Sequence, residues 1–245
     1  MMKVALAQYE PDNSTAANLN IIRHICERAG QEGVDLLCFN KHFLGFKKDP
    51  DPTAVGKLQE LAKEFEVEML TGLVLDTAKG QSAQSALIAR DGVLVDTVPV
   101  GEIKPVRTCL GPTLVLSEEQ SYSGGADMLA IQLQPTAIVM QVDAISLLEL
   151  EAIKELAIAR SFGQAHLVIC VSRVGKHGKE TCLGTSLAVL QGEILVEADT
   201  DVSELVIFSV DTSKFIDYDE LRESVAIPAL LKQKYAPTVD HDTEP

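Results

Sequence analysis

Short apolar runs alternate with amphipathic helical patterns through the first 65 residues, and that alternation constrains the fold more than any other feature. Residues 3–9 have the pattern of a buried strand. Asn13-Ser14 opens a helix whose apolar positions Leu19, Ile22, Cys26 and Ala29 recur at helical spacing, and Gly30 and Gly33 end it. Asp35–Phe39 is a short apolar run of the kind found in a buried parallel strand. Asp51-Pro52 supplies a cap and a first-turn proline for a second helix with Ala54, Leu58, Leu61, Ala62 and Phe65 on one face.

The pattern continues with hairpins mixed in. Val67–Leu75, Ser85–Ala89 and Val93–Val98 are expected strands, and Asp91-Gly92 is a two-residue hairpin signal between the last two. Residues 99–127, with Pro99, Pro105, Pro112 and Gly124-Gly125, are expected to be loops. Met128–Leu133 and Thr136–Val142 are expected strands. Ser146 and Glu149 form a capping box for a helix that ends at Gly163. His166–Ser172, Leu187–Leu190, Glu193–Val196 and Glu204–Val210 complete the strands, with Gln191-Gly192 in a hairpin, and a last helix is expected around Tyr218–Val225. Such mixing predicts an α/β class with two mixed sheets packed face to face and helices outside. No internal repeat or interdomain linker divides the chain.

Charge and cysteine content exclude several functions. The 36 acidic residues outnumber the 21 basic ones for a net charge of −15, which opposes binding to nucleic acid or an anionic membrane surface. No stretch reaches the roughly 20 apolar residues that cross a bilayer. The N-terminal apolar run is too short for a signal peptide. Cysteines 26, 38, 109, 170 and 182 are odd in number and lack CxxC spacing, so reduced thiols and a cytoplasmic location are expected, with no metal and no cofactor.

The segment Val34-Asp35-Leu36-Leu37-Cys38-Phe39-Asn40-Lys41-His42-Phe43 resembles the first active-site strand of the carbon–nitrogen hydrolases, the nitrilase superfamily. Val4–Gln8, Asp91-Gly92, the Glu119, Tyr122, Gly124-Gly125 group, Arg160–Gly175, Gly184-Thr185-Ser186, Val210-Asp211, Arg222 and Pro228 match the family pattern in order. The resemblance implies a nitrilase-like four-layer αββα sandwich over residues 1–235, shortened by about one helix–strand unit, with a polar tail at 236–245. It also implies a homodimer paired through the helix Leu147–Phe162.

Family catalysis joins a glutamate base, a lysine that stabilises the oxyanion and a cysteine nucleophile. The resemblance places Lys41 where the glutamate belongs. Lysine side chains are ordinarily protonated at neutral pH and take no proton from a thiol. The lysine position falls near Val100, with Lys104 as a substitute across a short insertion. Gln141 stands in the place of the cysteine when Ile138–Asp143 is aligned with the nucleophile strand. Only 18 residues separate Gln141 from Arg160. Either a helix–strand unit is missing, or residues 136–142 are the later strand and the nucleophile strand is gone. The expected function is a degenerate, non-catalytic homologue that keeps an oligomer interface or a pocket. Lys41, His42 and Glu119 are the candidates to hold a small anionic or amide ligand there. The alternatives are an amide or nitrile hydrolase using Cys109 as nucleophile and Lys104 as oxyanion cation, and an interaction protein without a small ligand.

Overall fold

A computed structural model of the chain describes residues 1–44, 53–77, 80–99, 101–163, 167–177 and 180–215. The expected helix at 218–225, Arg222, Pro228, Val100 and the tail at 236–245 lie outside these residues. Met1–Thr212 form one compact unit, built of two large sheets, a small hairpin and their helices.

Strand β1 (Met2–Gln8) leads through α1 (Thr15–Gln31) to β2 (Leu36–Phe39), and α2 (Ala54–Glu64) to β3 (Glu68–Thr77). Ser14 starts α1 as expected, its hydroxyl accepting from the Ala17 N–H. Leu19, Ile22, Cys26 and Ala29 form its buried face. Strands β4 (Gly80–Ile88) and β5 (Leu94–Pro99) pair antiparallel through the Asp91-Gly92 turn. Gly92 has φ +83°, and a Cβ there would lie 2.5 Å from the Gln59 carbonyl, so both conformation and space require glycine. With β14 (Glu204–Val210) beside β1, the first sheet has the order β14-β1-β2-β3-β4-β5, and β1, β2 and β3 run parallel.

The second half departs from expectation between residues 99 and 133. Instead of loops it forms β6 (Pro105–Thr108), β7 (Gly111–Ser117) and the single turn α3 (Glu118–Ser121). Met128–Leu133, expected as a strand, lies in helix α4 (Gly124–Leu133). β8 (Ala137–Gln141), α5 (Leu147–Gly163) and β9 (Leu167–Val171) come next. Thus β7, α4 and β8 make a complete strand–helix–strand unit ahead of α5. The α5 start has the expected chemistry: the Glu149 N–H donates to the Ser146 hydroxyl, and the Glu149 carboxylate accepts from the Ile145 N–H.

Strands β12 (Leu187–Leu190) and β13 (Glu193–Glu197) complete a second sheet, β13-β12-β9-β8-β7-β6, with β7, β8 and β9 parallel. A small two-stranded hairpin of β10 (Val174–His177) and β11 (Glu180–Leu183) forms a third, separate sheet. Each sheet buries one face under helices. Ile22, Cys26, Leu58, Leu61 and Met69 belong to one core, and Leu116, Ala130, Met140, Ile153 and Cys170 to the other. The alternate residues of these strands face the opposite sheet. The observed architecture is the expected αββα sandwich.

Candidate functional site

At one end of the sandwich the layer between the sheets turns polar. The residues that turn it polar lie at, or just past, the ends of strands. Gln8 closes β1, Asn40 comes directly after β2, Ser117 closes β7 and Gln141 closes β8. Parallel pairing brings these ends together, with Ser117 opposite Gln141 and Gln141 opposite Val171. Parallel α/β sheets gather side chains for chemistry at their strand ends, so this is where a site belongs.

Gln141 is fully buried, at 0% exposure. Its Nε2 donates to the Phe39 carbonyl at 2.9 Å, and its Oε1 accepts from the Ser85 hydroxyl at 2.7 Å. One carboxamide therefore bridges β8 in one sheet to β2 and β4 in the other. Asn40 makes a second bridge. Its Nδ2 donates to the Val142 and Val171 carbonyls and to Asp143 Oδ1, while its Oδ1 accepts from the His42 N–H. Asp143 in turn pairs with Arg173 at 2.9 Å, each side chain 6% exposed. Gln8 closes the other flank, accepting from the Ser186 N–H and donating to the Asp199 and Val202 carbonyls.

Lys41 and His42 are half-buried and come directly after this layer. The Lys41 backbone crosses β3 at Gly72, where a Cβ would lie 2.2 Å from the Lys41 carbonyl oxygen. Any side chain at position 72 would push that segment away. Ser117 is buried, and its hydroxyl donates to Gln120 Oε1 at 2.8 Å. The Gln120 Nε2 is held by the Glu102 carbonyl. Glu119 is exposed on α3, after β7 rather than in a loop before a strand as the sequence pattern suggested. Lys104 pairs with Asp96 of β5 at 2.7 Å.

Cys109 sits in the turn between β6 and β7, its N–H donating to Glu68 Oε1 at 2.8 Å. Burial, with the Glu68 carboxylate alongside, pushes its thiol up to about 12. Burial also raises the Cys26, Cys38 and Cys170 thiols. Among the described residues no group of three or more His, Cys, Asp or Glu side chains is placed to hold a metal ion. No described helix is long and apolar enough to cross a membrane.

The sequence pattern singled out Lys41 and Gln141, and the structure joins them through β2, since Gln141 bonds to Phe39 two residues before Lys41. It missed Ser117, hidden in a segment expected to be irregular, and Ser85, 56 residues from its partner.

Two mixed sheets face to face, helices outside, and a polar layer at the parallel strand ends define the nitrilase-like αββα fold. Solved structures bear this out. Saccharomyces cerevisiae Nit3, a member of branch 10 of the nitrilase superfamily, superposes with a TM-score of 0.76 at 19% identity over 93% of this chain and 95% of its own. A carbon–nitrogen hydrolase from Helicobacter pylori G27 gives a TM-score of 0.76 at 14% identity over 91% and 93%. A cysteine-to-alanine variant of the Nesterenkonia AN1 amidase from the same superfamily gives 0.74 at 16% identity over 96% and 97%. No family model matches the sequence, and no curated protein matches it either. The likeness is one of fold.

Proposed function

We propose that the protein is a non-catalytic relative of the carbon–nitrogen hydrolases, acting as a homodimer whose former catalytic end has become a structural layer. The observation that carries this reading is the buried Gln141 carboxamide, hydrogen-bonded across both sheets where a reacting substrate would need room. The family order of nucleophile strand, helix, strand, loop and Arg-bearing helix begins here at β7. That order supports reading Ser117 as the nucleophile position and Gln141 as the end of the later strand. Ser117 then replaces the cysteine, and Lys41 replaces the glutamate base. An alcohol needs a base to become a nucleophile, and the acceptor of the Ser117 proton is the neutral amide of Gln120.

The second reading, a hydrolase with relocated groups, has less support. Lys104 is engaged by Asp96, and Cys109 lies beside a carboxylate that disfavours its thiolate. A small anionic or amide ligand near Lys41, His42 and Glu119 fits less well than an oligomer interface, because hydrogen-bonded side chains fill the layer next to Lys41. The net charge of −15 opposes a nucleic-acid partner.

The test is ammonia release from simple aliphatic amides and nitriles by purified protein. The expected result is no release above background. Release that disappears in Ser117→Ala or Cys109→Ala protein would overturn the reading.

A further inference from the structure

We infer that Gln141 is a resident ligand: its side-chain carboxamide occupies a seat for a small primary amide, so that the protein carries an internal occupant of its own binding site. This rests on the reading of the β2–β7–β8 end as the former substrate site.

A primary carboxamide has one strong acceptor and a two-proton donor. The seat offers a complementary set. The Ser85 hydroxyl donates to the amide oxygen, and the Phe39 carbonyl accepts from the amide nitrogen, at 2.7 and 2.9 Å. These partners come from different strands of the opposite sheet, so neither depends on the backbone of Gln141. Around the seat are Ser117, directly opposite Gln141 on β7, and the segment leading to Lys41, packed on Gly72. A methyl or isopropyl group would match neither the Ser85 hydroxyl nor the Phe39 carbonyl, a carboxylate would match only the hydroxyl and an ammonium only the carbonyl, at a cost that a matching amide avoids.

The arrangement also explains why this end needs an occupant. With the reacting groups gone, an empty polar seat between two sheets is destabilising, and a tethered amide fills it without the loss of translational freedom that a separate molecule suffers. The seat is thus selective for small primary amides, and the tether keeps external ones out.

The experiment removes the tether and returns the missing fragment. Gln141→Ala lacks a CH2–CO–NH2 group, which acetamide approximates in size and hydrogen bonding. Thermal unfolding of Gln141→Ala and of the unmodified protein is monitored against acetamide, with N,N-dimethylacetamide as the probe that cannot donate to Phe39. Acetamide at ten times its Kd is expected to raise the Tm of Gln141→Ala by about 3–6 °C relative to the unmodified protein. N,N-dimethylacetamide is expected to give no such rise. Val139→Ala, a cavity on the same strand without the polar pair, is expected to respond to neither. If Gln141→Ala accumulates only as insoluble protein, the same pair of amides is added during refolding. A greater soluble yield with acetamide alone supports the inference. Equal response to both amides, or none, overturns it. Amide turnover by the unmodified protein would sink the non-catalytic reading, whereas loss of rescue in Gln141→Ala sinks only the resident-ligand inference.

Discussion

The Gln141 side chain donates to the Phe39 carbonyl across 102 residues of chain, joining the end of β8 to the strand that leads into Lys41. Stability should therefore respond to every member of this contact. Ser85→Ala leaves the buried Gln141 oxygen without its donor and is expected to cost about 1–3 kcal/mol. Gln141→Leu, similar in volume, removes the side-chain partner of both the Phe39 carbonyl and the Ser85 hydroxyl and is expected to cost more than Ser85→Ala. Urea denaturation with a constant m-value would check both. A neutral Gln141→Leu would show that the bridge has no structural weight.

A second, part-buried contact ties the helices over the other core. Arg160 of α5 is 1% exposed, and its Nε and Nη2 both donate to Asp127 Oδ1 of α4. Its Nη1 donates to the soft sulfur of Met140 at 3.5 Å. Asp127→Ala leaves a buried guanidinium without its carboxylate and is expected to cost about 3 kcal/mol. The double variant Asp127→Ala/Arg160→Met, which replaces the charge with an apolar chain, is expected to recover most of that loss. Chemical denaturation of the single and double variants measures the difference. Asp127→Ala alone within about 0.5 kcal/mol of the parent would mean that water already serves the arginine.

How much of this was legible in the sequence depends on where the signal resides. Ser14, Asp91-Gly92 and Ser146 with Glu149 act within a few residues, so their chemistry is visible locally, and the structure has them in the expected roles. Helix α4 was hidden because its buried positions are the small Ala126 and Ala130, while Met128 and Ile131 are exposed. Apolar residues on both faces erase the helical period, and the run resembles a strand. Gly111-Pro112 masked the start of β7 in the same way. With both elements unrecognised, the sequence pattern offered the end of β8, and not the end of β7, as the strand end to compare with the family. The partners of Gln141 were beyond reach, since Ser85 and Phe39 meet it only through the stacking of two sheets.

Helix α5 carries Leu148, Ala152 and Ala159 at spacings of four and seven residues, which places them on one stripe. All three are exposed, Leu148 at 81%, and the stripe lies opposite the buried Leu150, Ile153 and Ala157. Met128 and Ile131 of the neighbouring α4 add further exposed apolar surface. Apolar area of this kind marks an interface, and a homodimer through α5 is the expected state. Light scattering at micromolar concentration should give twice the chain mass. Leu148→Arg/Ala159→Arg should halve it and leave the circular dichroism spectrum unchanged. A monomeric parent protein would refute the dimer.

The last prediction concerns pH and the turn that holds Cys109. Burial raises the Glu68 carboxyl above its ordinary value, opposed by its hydrogen bonds from Cys109 and by the Arg90 charge, while Asp35 adds to the rise. An acid with a raised folded-state value binds its proton more tightly folded than unfolded. Its contribution to stability is then fully present below the unfolded value of about 4.5 and is lost as pH rises through the folded value. Glu68→Gln removes this titration and keeps an oxygen to accept the Cys109 N–H. The variant is expected to lose less stability than the parent as pH rises above the ordinary carboxyl value of 4.5. The same substitution removes the negative charge that helps hold the Cys109 thiol at about 12. Alkylation of Cys109 by iodoacetamide at pH 8 is expected to be at least about a hundredfold slower than for a free thiol, and faster in Glu68→Gln. Denaturation at a series of pH values and mass spectrometry of the alkylated peptide measure the two effects. A parent and variant with parallel pH profiles and equal alkylation rates would show that the Glu68 charge does not act on this turn.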